Sequence, residues 1–370
     1  MDCYLIYIIL AFVLSMLSGF LFIPFIIDFC LKRKLYDMPN ERKVHHHAIP
    51  RLGGVSFIPC MFLAFLLSIY VYNCVTDKVA VGISMWTSSF LASLFMIYVV
   101  GVIDDIIGLG PKTKFIVQIL AASLLPICNL YINDLYGFCG MHAVPFAIGA
   151  PLTVFIIVFI NNAINLIDGI DGLSGGLSLI SLSGFLYCFG REQVWTYCVL
   201  IAGLMGVLCA YLYFNIWGKV EKRRKLFMGD SGSLTLGFIL GFLFVKFAMN
   251  STAVMPYRGD SLMIAYTLLI VPCFDVVRVV LVRLRVGQPL FKADKRHIHH
   301  KLLRCGLSQH CALVTILLLQ LLFVVVNFML NGLVQVTCIV AIDIAMYTMF
   351  NLALDAIIKR KEAQVTCSDL

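Results

Sequence analysis

An all-α protein threaded many times through a membrane is the fold class the sequence predicts, on three observations. Of 370 residues, 61% are hydrophobic and 13% charged, against about 45–50% and about 25% in soluble chains. Mean hydropathy is +0.96, so too few polar residues exist to cover a water-facing surface. The apolar segments are continuous rather than alternating over about ten residues, which removes an outer-membrane β-barrel. A soluble globule, a disordered or collagen-like chain and a disulfide-rich secreted scaffold fall on the same composition. Residues 1–357 read as a single integral membrane domain, followed by a short tail, 358–370.

A spanning helix needs about 20 mainly apolar residues, because lipid offers no partner for free backbone groups. Eleven stretches qualify: 4–31, 54–73, 84–103, 114–132, 144–160, 173–190, 195–217, 232–249, 261–284, 311–329 and 334–357. The first apolar run, Tyr4 to Ile27, is too long for a signal-peptide core and lacks a small-residue cleavage site, so it reads as a retained helix. The 14 cysteines lie mostly inside apolar runs (Cys60, Cys188, Cys209, Cys273) and form no CxxC pair. They read as small buried hydrophobes.

Charge orients the array. Alternate connectors carry 24 of the 28 Lys and Arg, the exceptions being Lys78, Arg191, Lys246 and Arg258. The positive-inside rule then places the N-terminus outside and the C-terminus in the cytoplasm. Anionic lipid headgroups and an anionic substrate account for the net charge of +8 without nucleic acid. The connectors assigned to the cytoplasm also hold nearly every polar cluster, whereas 133–143 and 331–332 on the other side are short and plain. Chemistry is therefore expected on the cytoplasmic face.

Four clusters stand out there. Asp104 and Asp105 end the third helix, with Lys112 and Lys114 following; adjacent carboxylates beside an apolar helix suit a bound cation, and equally a solvated helix end. Asn161, Asn165 and Asp168 are spaced to share one stripe, with Asp171 a turn beyond. This is a site or interhelical hydrogen-bonding glue, and the closeness of these four side chains within eleven residues favours the site. Phe227-Met-Gly-Asp-Ser-Gly-Ser opens the eighth helix with Asp230, Ser231 and Ser233 in a first turn that favours anions, or that Asp or Ser simply caps. It is not a P-loop, lacking that spacing and its Lys. Arg296, His297, His299 and His300, with His45, His46 and His47 from the first loop, read as an anion clamp rather than a zinc site, for want of HExxH or a Cys pair. Asp275 and Arg278, at i, i+3, read as a structural ion pair, and Asp343 as a single polar contact inside the bundle.

Together the motifs resemble the polyprenyl-phosphate N-acetylhexosamine-1-phosphate transferase family, and within it the undecaprenyl-phosphate GlcNAc-1-phosphate transferases. The resemblance is carried by Asp37-Met-Pro-Asn-Glu-Arg-Lys-Val-His with Pro50-Arg-Leu-Gly-Gly, Asp104-Asp105, Asn162-Ala-Ile-Asn-Leu-Ile-Asp-Gly-Ile-Asp-Gly-Leu, Phe227-Met-Gly-Asp-Ser-Gly-Ser and Arg296-His-Ile-His-His, in family order. It implies transfer of a HexNAc 1-phosphate, GlcNAc foremost, from a UDP-sugar to undecaprenyl phosphate with release of UMP, in the bacterial inner membrane. It also implies Mg²⁺, with Mn²⁺ as a substitute, held by Asp230 and Asn165. Asp104 and Asp105 would orient or deprotonate the lipid phosphate beside Lys114, and Phe227 would stack on uracil. Asn162, Asp168 and Asp171 would line the substrate site, the last two at the nucleoside. Arg296, His297, His299 and His300 would hold the diphosphate or sugar. A homodimer is compatible with the family.

One stretch departs from the pattern. Relatives join the seventh-helix Asn to Phe-Met-Gly-Asp by a short Pro-Ala-Lys-like link; here the link runs Trp217-Gly-Lys-Val-Glu-Lys-Arg-Arg-Lys, read as a solvated loop rather than a lipid-headgroup contact. The rival from another class is a proton-coupled secondary transporter. Transporter sites lie near the bilayer midplane between paired repeats, whereas these acidic residues sit at helix ends on one face.

Overall fold

The computed structural model describes residues 2–37, 48–76, 84–252, 254–289 and 295–368. His45, His46 and His47 lie outside the described residues. Helix α1 (Asp2–Arg33) leads into a two-residue antiparallel pair, β1 (Tyr36–Asp37) with β2 (Ile49–Pro50), and a 3₁₀ turn at Gly53–Ser56. Then come α2 (Phe57–Thr76), α3 (Met85–Ile107), α4 (Pro111–Ile127), a hairpin of β3 (Asp134–Phe138) and β4 (Met141–Ala143), α5 (Phe146–Ile167), α6 (Leu173–Arg191) and α7 (Trp195–Leu212). A π-helical turn, Tyr213–Trp217, follows α7. The chain finishes with α8 (Asp230–Ala248), α9 (Ser261–Thr267), α10 (Ile270–Arg285), α11 (Ile298–Arg304), α12 (Gln309–Leu330) and α13 (Val336–Ser368).

Among the described residues nine helices are long and apolar enough to cross a membrane, and a tenth if α9 and α10 make one span. The remaining expected stretch, 114–132, corresponds to α4, whose 17 residues make it about 26 Å long at 1.5 Å per residue. Two expectations need correction. The single helix expected over 261–284 is broken, α9 and α10 meeting at 72°. The connector 133–143, expected to be plain, folds into the β3–β4 hairpin, and Tyr136 donates its hydroxyl to the carbonyl of Ala248, at 2.9 Å, satisfying an end group of α8. Helix α13 also continues past 357 without interruption.

Helix α8 is the centre of the bundle. Every residue from Ser231 to Ala248 is buried, a position open to it because Gly237 and Gly241 seat it against Asn161 and Ile157 of α5. Lys246, placed by sequence at the external end of the stretch 232–249, is buried in this helix, its ammonium 3.6 Å from the centre of the Trp86 ring.

The break before α10 is held by polar side chains that lipid cannot replace. Gln320 of α12 accepts from the N–H of Val271 (3.1 Å) and donates to the carbonyl of Thr267 (2.8 Å). Asp343 has two donors rather than the single contact expected, Tyr266 at 3.0 Å and Asn327 at 2.9 Å. Replacing Gln320 with Leu leaves both backbone groups at the break unpaired; each costs about 1–3 kcal/mol, so the variant should melt markedly earlier in detergent, and an unchanged melting temperature would remove this role.

Candidate functional site

The ends of α3, α5 and α7 and the start of α8 meet at one end of the bundle around a cavity of about 420 Å³. Its construction starts with backbone pairing. Phe227 donates its N–H to Pro50 (2.8 Å), and its carbonyl accepts from Gly53 (2.9 Å), while Met228 accepts from Gly54 (2.8 Å). The segment before α8 is thereby zipped onto the Pro50-Arg-Leu-Gly-Gly stretch. Gly54 and Gly232 touch backbone to backbone, so a side chain at Gly54 has no room. Gly229, at φ +73°, turns the chain into α8 where a Cβ would strike the Arg51 carbonyl and lie 2.5 Å from Asp105.

Asp105 closes the joint. Its two carboxylate oxygens accept from the N–H of Asp230 (2.8 Å) and of Ser231 (2.9 Å). The anion attracted by the first turn of α8 is thus a side chain of the protein itself, held where the helix dipole favours it. Asp104 accepts from the N–H of Leu109 (2.5 Å) and from Lys114 (3.1 Å). Lys114 reaches on to Asp230 at 2.6 Å, bridging α3, α4 and α8. Asn165, expected to share an ion with Asp230, points its amide N–H at Asp230 (2.9 Å) and at Ser233 (2.8 Å). It holds the carboxylate in place as a donor.

Across the cavity Asp171 pairs with Lys225 at 2.6 Å. Lys225 also donates to the carbonyl of Asn215, whose side chain accepts from Gly172 (2.7 Å) and donates to the carbonyl of Leu226 (2.9 Å). Asp168, at the end of α5, has no hydrogen-bond or ion-pair partner among the described residues. Burial, then the charges of Asp230, Asp171 and Asp105, push its carboxyl up to about 7.

Of the side chains singled out from sequence, Asp104, Asp105, Asn165, Asp168, Asp171, Phe227, Asp230 and His300 line the cavity, with Lys114 ion-paired to two of them. Others stand apart. Asn162 donates to Gln118 (2.5 Å) and to the carbonyl of Val158 (2.7 Å), away from the lining. His297 is bound to Asp275 at 2.7 Å, and Asp275 also accepts from Arg278 (2.7 Å), the N–H of Ile298 (3.0 Å) and Tyr347 (3.3 Å). The expected ion pair is therefore present, and it anchors the start of α11 as well. Arg296 lies outside the lining, its carbonyl accepting from Arg278 at 2.5 Å. His299 is buried against Gly169 and stacks parallel to His297, ring centres 5.9 Å apart; burial holds its imidazole down to about 3 and hence neutral. Only His300 of the three reaches the cavity, 4.2 Å from the His299 ring.

Arg51, Tyr211, Asn215 and Gln309 line the cavity but were not singled out from sequence. Arg51 lies within a quoted motif, yet nothing in its spacing marks it; its Nε is buried with no hydrogen-bond partner among the described residues, leaving a donor for an incoming anion.

The donors fit a small hard cation held partly by substrate. They are oxygens, and among the described residues no three His, Cys, Asp or Glu side chains converge as a closed metal cage. Mg²⁺ commonly uses one or two carboxylates and completes its shell with water and phosphate. Asp168, crowded by three other carboxylates without a compensating partner, marks where positive charge is missing.

Fold, cavity and motif order define a membrane-embedded glycosyltransferase. Residues 87–248 match the family described as glycosyl transferase family 4. The chain is 31% identical over 335 residues (87% of this chain, 85% of the relative) to a protein of Bacillus subtilis (strain 168) named a probable undecaprenyl-phosphate N-acetylglucosaminyl 1-phosphate transferase. It is similar also to undecaprenyl-phosphate α-N-acetylglucosaminyl 1-phosphate transferases of Salmonella typhi, 30% identical with 78% of this chain and 74% of that one covered, and of Escherichia coli (strain K12), 28% identical with 82% and 80% covered. The chain belongs to this family of polyprenyl-phosphate N-acetylhexosamine-1-phosphate transferases.

Asp105→Asn offers one acceptor and one donor to two N–H groups and removes the charge at the helix end. It should lose about 2 kcal/mol of stability or more, seen as an earlier melt in detergent together with lost turnover; a variant melting like the parent would show that the clamp contributes little.

Proposed function

We infer that the chain transfers N-acetylglucosamine 1-phosphate from UDP-N-acetylglucosamine to undecaprenyl phosphate at the cytoplasmic face of the membrane, releasing UMP and starting a cell-surface polysaccharide. The observation that carries this reading is one cavity at an end of an apolar bundle, lined by Asp104, Asp168, Asp171, Asp230 and Arg51, with Lys114 and Lys225 ion-paired to three of those carboxylates. The names of the relatives support the two substrates.

In the reaction a phosphate oxygen of the lipid attacks the sugar-bearing phosphorus of the UDP-sugar. A new P–O bond forms, the bond to the bridging oxygen breaks, and that oxygen departs on UMP. Two polyanions must approach each other, so neutralisation and alignment dominate the barrier. Bound Mg²⁺, held by the carboxylates of Asp230 and Asp168, would neutralise diphosphate oxygens. Lys114, already shared by Asp104 and Asp230, is placed to follow charge as it moves between acceptor and leaving group. Arg51 offers its buried N–H to a phosphate oxygen, and the Phe227 ring on the cavity wall suits stacking on uracil. Asp275 fixes His297 and the start of α11, and so presents His300 to the cavity.

Purified protein given UDP-N-acetylglucosamine should release UMP only when polyprenyl phosphate is added, and EDTA should stop it. Asp230→Asn should lower turnover at least tenfold, about 1.4 kcal/mol in the barrier, while melting close to the parent. Activity persisting in EDTA would discard the metal; uptake of a solute without UMP release would favour a transporter; turnover only with another UDP-sugar would keep the reaction and change the substrate.

A further inference from the structure

A second cavity, of about 500 Å³, lies on the other side of the π turn from the first. The turn contributes to both: Asn215 lines the first cavity, and its neighbour Phe214 the second. π turns are rare and concentrate at functional sites. Here the wide turn directs neighbouring side chains into different cavities.

The second cavity has two chemically distinct parts. One part is aromatic, with Phe20 of α1 packed on Tyr213 and Phe214 at ring-centre distances of 5.5 and 5.9 Å. Tyr213 and Trp217 beside it are exposed by 44% and 67%, as side chains of a membrane–water interface commonly are. Its rim is formed by Lys222, Arg223 and Arg224, all exposed, none with a side-chain partner among the described residues. Asp28 also lines the cavity and is ion-paired to none of the three among the described residues, so their charge is not spent internally. The last turn of α1 adds Lys32 and Arg33 just beyond, marking this as a polar end of the helix.

We propose that this cavity binds an anionic phospholipid of the surrounding bilayer, its phosphate on Lys222, Arg223 and Arg224 and its acyl chain along Phe20, Tyr213 and Phe214. A free phosphate or nucleotide would use the rim and leave the aromatic wall idle; a zwitterionic lipid would use the wall and leave the cations uncompensated. The loop 218–226, which its charge alone marks as merely solvated, is thereby a headgroup contact. Its last cation, Lys225, is committed to Asp171 and is no part of this site. The proposal goes beyond the transferase reading and does not depend on it.

Delipidated full-length protein, titrated separately with phosphatidylglycerol, phosphatidylcholine and undecaprenyl phosphate and read by native mass spectrometry, tests it. The comparison is with Lys222→Gln/Arg223→Gln/Arg224→Gln, and with Lys359→Gln/Arg360→Gln/Lys361→Gln, which removes the same charge from the end of α13. Parent and control should bind phosphatidylglycerol at least about tenfold more tightly than phosphatidylcholine, and the loop variant should lose that preference. Equal binding of the two phospholipids by the parent, or an undiminished preference in the loop variant, overturns the proposal. A loop variant that loses undecaprenyl phosphate and keeps phosphatidylglycerol gives the cavity to the acceptor and overturns it too. Should the triple variant melt early, Arg223→Gln and Arg224→Gln singly carry the same comparison. The readout is bound lipid mass, so failure here leaves the transferase assay untouched.

Discussion

Two backbone N–H groups bound to one carboxylate govern the architecture of this enzyme. With Asp105 capping α8 from α3, the first turn of the central helix is locked to the end of a neighbour, and Asp230 inherits a fixed direction. The rest follows from that anchor. Lys114 can reach both Asp104 and Asp230, Asn165 can donate to Asp230, and position 229 has to be glycine, because its φ is +73° and no side chain fits between Arg51 and Asp105. A buried carboxylate that accepts two N–H bonds at a helix N-terminus recovers part of its lost hydration; without those donors the same charge would weaken the bundle.

Much of the site could be read in the sequence because polar residues in an apolar chain are conspicuous. Asp104, Asp105, Asp168, Asp171 and Asp230 come from three separate stretches and line one cavity. What periodicity could not separate was lining from support. Asn162 is one residue off the stripe of Asn161 and Asn165, and the 100° step turns it onto Gln118 instead. His297 and His299 share a motif with His300, yet the anchoring of one to Asp275 and the burial of the other leave a single ring at the cavity. Lys225 was hidden within a basic run, and its pairing with Asp171 is a contact between residues 54 apart. The bend before α10 was marked only by Thr267 and Pro272 inside an otherwise apolar run, and the device that permits the bend, Gln320, sits on another helix.

The two cavities flanking the π turn give the 218–226 loop a double attachment. Lys225 and Leu226 tie its end to Asp171 and Asn215, while Lys222, Arg223 and Arg224 face the second cavity. A short stretch of chain thus runs from the wall of the first cavity to that of the second, and the two attachments use different cations of the same run.

The complete burial of α8 bears on how the chain is made. A helix that meets no lipid in the finished protein cannot rest in the bilayer on its own terms; its glycines and hydroxyls need protein around them. Because α1 through α7 precede it in synthesis, most of its berth exists by the time it leaves the ribosome, and Asp230 at its head is delivered into a nearly finished socket. The order of elements along the gene therefore doubles as an assembly schedule for the translocon.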